Sequence, residues 1–130
     1  MEDIEGLAKK RYCSLKEKIE KNPMTISDFL NIIKNDIISI HSAGISADGW
    51  LIPWQNKYKM VLNSNRSPKV KKKTIIHESS HVYYDLVDNY PVKTTEEEED
   101  LLDKEDERFY NQHKHFIDKY YRHLKNKWAF

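Results

Sequence analysis

The chain has 130 residues, enough for one compact domain with a single core. A hydrophobic fraction of 38% and an aromatic fraction of 12%, including eight Tyr and three Trp, exclude a disordered solvating segment. The formal charge of +1 nominates neither nucleic acid nor a membrane surface as partner, and a lone cysteine, Cys13, excludes a disulfide framework or a cysteine-rich zinc site.

The opening MEDIEGLAKK is acidic and has no apolar core, and no apolar run approaches the roughly 20 residues of a membrane span, so a cytoplasmic protein is expected, with Cys13 a buried or half-buried thiol in a reducing compartment. Over residues 3–21, Ile4, Leu7, Ala8, Tyr12, Leu15 and Ile19 recur at helical spacing and predict an amphipathic helix, which KNP ends. Thr25 with Asp28 has the form of a capping box and predicts a second helix through Phe29, Leu30, Ile33 and on toward Ile37. The period then changes. IISIH (37–41), GWLIP (49–53) and YKMVLN (58–63) are short, β-branched or aromatic, and separated by turn formers; the short connections predict a small antiparallel sheet.

NSNRSP (63–68) predicts a turn into a helix, with Ser67 as N-cap and Pro68 as first helical residue, running to about Asn89 before Pro91. Lys71, Lys72 and Lys73 are expected to form a solvated face of it. The four glutamates Glu96 to Glu99 suit a first helical turn, where the macrodipole favours negative charge, and open a last helix from about 96 to 127.

Residues 75–85, IIHESSHVYYD, pose the functional question. His77 and His81 are one turn apart on the predicted helix, so both imidazoles can reach one tetrahedral zinc. Glu78 lies about 100° round the helix from His77, beside the ligand face, where it can act on water as a general base. The plain alternative is a helix with two satisfied histidines; a chain of this composition carries one H-E-x-x-H by chance about 2% of the time. Val70, Thr74, His77, His81 and Tyr84 form one stripe, which turns the histidines inward together.

A strand ending in Asn (YKMVLN), a turn, a basic helix start (RSPKVKKKTII) and HESSH together resemble the ImmA/IrrE family of zinc-dependent metallopeptidases, over residues 49–89. The resemblance implies an α+β, zincin-like single domain over residues 1–130, with the H-E-x-x-H helix packed on the sheet, N-terminal helices and a long C-terminal helix. It also implies Zn2+ as cofactor and a protein or peptide substrate, a transcriptional repressor in several members. The chain departs from the family at Ser79-Ser80, where an apolar residue followed by Gly or Ala is usual, and it has no recognisable helix-turn-helix domain.

Three residues of the last helix compete as third ligand. Leu102, Phe109, Phe116, Ile117, Tyr120 and Leu124 define its buried stripe, with Asp106 and His113 near the centre and Glu107 about 100° away. The family places a Glu at the head of E-x-x-A-N, and Glu107 to Asn111 keeps both the Glu and the Asn. A likeness to the SprT-like proteins would instead use His113, in His113-Lys114-His115-Phe116. Glu107 is chosen, with His113 and then Asp106 behind it. Tyr83, Tyr84, His113 and His115 are candidate oxyanion donors. The function expected is peptide hydrolysis with Glu78 as general base; the alternatives are a zincin-like protein that binds a regulator without cleaving it, and a structural zinc domain. Nucleic acid is not an expected partner, because no basic stripe interleaved with aromatics is present.

Overall fold

The computed structural model describes residues 4–34, 38–86 and 94–128. It is an α+β arrangement of four helices and one three-stranded sheet: α1 (Ile4–Lys21), α2 (Ile26–Lys34), β1 (Ile38–Ala43), β2 (Gly49–Trp54), β3 (Lys57–Asn63), α3 (Pro68–Tyr83) and α4 (Glu96–Trp128). No helix among the described residues is long and apolar enough to cross a membrane.

The local signals act as their chemistry dictates. Asp28 N–H donates to Thr25 Oγ1 at 3.1 Å while Thr25 N–H donates to Asp28 Oδ2 at 3.0 Å, a reciprocal box at the head of α2. Ser67 caps α3 through Val70 N–H, with Pro68 following it. Residue 37 and residues 87–89, into which the second and third helices are expected to extend, lie outside the described residues.

The sheet corrects one expectation: it is mixed. Its order is β1-β3-β2, with β2 antiparallel to β3 but β1 parallel to it. The short-connection argument assumes that consecutive strands are neighbours, and β1 and β2 are not. The link between them instead crosses the end of β3, where buried Asn63 holds it. Asn63 Nδ2 donates to the carbonyls of Ile45 (2.8 Å) and Ala47 (3.0 Å), and Asn63 N–H donates to that of Asp48 (2.9 Å).

One face of the sheet joins the core. The register sets Ile40 and Leu51 on either side of Met60, and these pack with Leu62 against the helices. Helix α3 lies at the centre, touching β2 and β3, α2 and α4, with Ile75 and Ile76 fully buried. Across it, Leu102 and Phe109 of α4 and Phe29 of α2 complete the core.

Three further expectations change. Cys13, expected to be at least half-buried, is exposed on α1. Helix α3 ends at Tyr83 rather than near Asn89. The lysine run is no free face: Lys71 is buried, Lys72 pairs with Asp118 at 2.9 Å, and Lys73 pairs with Glu107 at 2.7 Å. These pairs tie α3 to α4. The long α4 is interrupted at His113 (φ −119°, ψ 23°), whose ring lies 4.7 Å from that of Phe109.

Candidate metal centre

The site forms where α3 crosses the first turns of α4. Three groups converge there. His77 Nε2 and His81 Nε2 are 3.2 Å apart, and the Glu99 carboxylate places one oxygen 2.7 Å from His77 Nε2 and the other 2.9 Å from His81 Nε2.

The second nitrogen of each ring is committed elsewhere, and this fixes what the first can do. His77 Nδ1 lies 2.6 Å from Asp106 Oδ2, and His81 Nδ1 lies 2.9 Å from the carbonyl of Leu86. A carboxylate and a carbonyl only accept, so both Nδ1 atoms carry the hydrogen. In the neutral rings both Nε2 atoms then present lone pairs, to each other and to an anionic carboxylate. Such a group is satisfied by a cation, either a proton or a metal ion. His77, His81 and Glu99 could hold a metal ion; His77 with Asp103 and Asp106 is a second such grouping.

The titration behaviour follows. Burial would lower the pKa of His77, but hydrogen bonds to Asp106 and Glu99 override it and push it up to about 11. His81 is likewise raised, burial being outweighed by Glu99 and the Leu86 carbonyl. Burial works against ionisation of Glu99, yet the two histidines hold it well below the usual carboxylate range. Glu78 is raised by burial, with partial relief from His81 and His77. Its carboxyl group makes no hydrogen bond among the described residues.

The helix terminator supplies the partner of His81. Asp85 adopts the left-handed conformation (φ 57°), Asp85 N–H donates to Val82 O, and Leu86 N–H donates to His81 O at 2.8 Å. This is a Schellman turn, with Asp in the place glycine usually takes. It folds the Leu86 carbonyl back under His81.

The residues singled out from sequence separate into two sets. His77, Glu78 and His81 come together. Asp106 joins them as the partner of His77 Nδ1, not as a group beside the two Nε2 atoms. Glu107 shares a cavity wall with His77 and Glu78 but is not grouped with the two Nε2 atoms: its exposed carboxylate bonds Lys73, which also lowers its pKa. His113 sits at the α4 break against Phe109. Of the candidate oxyanion donors, Tyr83 OH donates to the Asn22 carbonyl and Tyr84 OH accepts from Met24 N–H, so both are engaged at the α1–α2 link, and His115 is exposed.

Glu99 was hidden inside the glutamate run. A signal for it existed: Glu99 stands seven residues before Asp106, so the two lie within about 20° of each other on the helix, with Asp103 between them.

Two cavities share His77 and Glu78 as walls. One, of about 370 Å³, adds His81, Glu99 and β2 residues Gly49 to Ile52. The other, of about 450 Å³, extends past Thr74 to Asp48 and Asp103. Because Asn63 N–H bonds Asp48 O, the antiparallel alternation gives the β3 ladder to Trp50 and Ile52 and leaves the backbone groups of Gly49 and Leu51 on the open edge of β2. Pro53, with no N–H to offer, falls on that edge too. In comparisons with known proteins, no family model, no curated protein and no solved structure matches the chain.

Proposed function

We propose that this chain is a zinc-dependent metallopeptidase, zincin-like and akin to the ImmA/IrrE family, that hydrolyses a peptide bond in a protein substrate such as a transcriptional repressor. The observation that carries this reading is the convergence of two tautomer-fixed Nε2 atoms on one carboxylate, with an uncommitted Glu78 beside them.

The residues present fit zinc. The 3.2 Å between the two Nε2 atoms is close to the edge of a tetrahedron with bonds of about 2.05 Å, which is about 3.3 Å. His77, His81 and Glu99 would hold the ion, two nitrogens and one carboxylate, the ligand set of many hydrolytic zinc sites. Zinc bound there supplies Lewis acidity, polarising a peptide carbonyl and lowering the pKa of water toward 7.

The remaining work falls to the chain's own groups. Glu78 lines both cavities, and its raised pKa suits a base that takes a proton from the attacking water and returns it to the leaving nitrogen. The open edge of β2 offers Gly49 and Leu51 backbone groups to an extended substrate, which would lie alongside His77 and Glu78.

The test is Glu78→Gln. The variant is expected to keep its zinc while hydrolysis of a candidate protein substrate falls by about 100-fold or more. Full activity in the variant removes the general-base assignment. A wild-type chain that binds zinc and its partner but cleaves nothing leaves the binding-protein alternative standing in its place.

A further inference from the structure

Ser80 occupies a position where the resemblance expects glycine or alanine, and its hydroxyl is not idle. It is 1% exposed, and its Oγ lies 2.5 Å from Asp106 Oδ1. The other oxygen of that carboxylate, Oδ2, accepts from His77 Nδ1 at 2.6 Å. We propose that Ser80 is a positioning residue for the metal: acting through Asp106, it fixes the ring of His77. This inference rests on the metal reading above.

The hydroxyl has one hydrogen and two acceptors in reach, Asp106 Oδ1 and the Ile76 carbonyl at 3.0 Å. The contact to the charged carboxylate is the shorter and the stronger, so it takes the hydrogen. Asp106 is thereby held at both oxygens, by Ser80 on one side and His77 on the other.

The second hold matters because His77 has a rival acceptor. Asp103 Oδ1 lies 3.5 Å from the same Nδ1. A carboxylate anchored only by His77 could swing and yield the ring to Asp103, which is more exposed, and the ring would tilt away from His81 and Glu99. The Ser80 bond selects Asp106.

Ser79 provides an internal control. It is equally buried, but its hydroxyl has no hydrogen-bond partner among the described residues. Of these two adjacent buried serines, only Ser80 bonds Asp106.

The experiment measures zinc affinity of the full chain by competition with a chromophoric chelator, together with the visible spectrum of the cobalt-substituted protein. Ser80→Ala is expected to weaken zinc by about tenfold and to alter the cobalt ligand-field bands, while Ser79→Ala changes neither. Asp106→Asn is expected to lose up to about 100-fold, and adding Ser80→Ala to it to lose nothing more, since one acts through the other. Wild-type affinity and an unchanged cobalt spectrum in Ser80→Ala overturn the proposal, as do losses that simply add in the double variant. Should Asp106→Asn not fold, Ser80→Ala against Ser79→Ala carries the test alone. A wild-type chain that takes up neither zinc nor cobalt refutes the metal reading itself, a result distinct from either.

Discussion

Glu98 and Glu99 are neighbours in one acidic run and do unrelated things. Glu99 faces the two histidines, whereas Glu98 turns the other way, fully buried, and takes Arg11 of α1 in a two-point bond at 2.8 and 2.7 Å. Glu98 also accepts from Thr95 N–H at 2.9 Å while its own N–H donates to Thr95 Oγ1, a capping box at the head of α4. Composition reads the run as favourable helix-start charge and stops there; the division of labour depends on which elements pack against each face, which the run does not encode. Burial pushes the Glu98 carboxyl up, but Arg11 and the Thr95 backbone outweigh it and hold it below the ordinary 4.5. Since the folded state has the lower value, the contribution of this pair is complete above pH 4.5 and fades as pH falls through the folded-state value. Arg11→Ala is expected to cost about 3 kcal/mol in urea unfolding at pH 7, and the gap from wild type to narrow below pH 4.5. A gap that stays constant with pH would contradict the pairing.

At the scale of elements, helix starts were legible and helix ends and strand partners were not. Thr25, Ser67 and Pro68 announce helix starts through chemistry local to a few residues. The end of α3 depends on Asp85 accepting a positive φ, and the parallel pairing of β1 depends on a link that crosses β3; neither is a property of adjacent residues. The packing of β2 on α3 is equally non-local. It turns on Gly49, where a Cβ would come within 2.4 Å of Thr74 Cγ2 and 3.2 Å of the Val61 carbonyl. Thr74 cannot easily rotate away, because its Oγ1 donates to Val70 O at 2.8 Å. Gly49→Ala is expected to destabilise by about 1–3 kcal/mol in chemical denaturation, and Thr74→Ser, which removes Cγ2 and keeps the hydroxyl, to recover part of that loss. Equal stability of Gly49→Ala and wild type would show that β2 does not approach α3 so closely.

For the whole molecule, the core and the site are one construction. Helix α3 buries Ile75 and Ile76 in the core and turns His77, Glu78 and His81 toward α4, with the β2 edge beside them. The α+β class and the two histidines could be read from periodicity and spacing. The carboxylate that faces them could not be chosen, because Glu99, Asp103, Asp106 and Glu107 share two turns of one helix, and only its placement against α3 separates them. The most direct test of the central claim is the zinc content of protein purified without added metal. About one zinc per chain is predicted for the wild type and for Glu107→Gln, and essentially none for Glu99→Gln. Zinc retained by Glu99→Gln, or lost from Glu107→Gln, would contradict it.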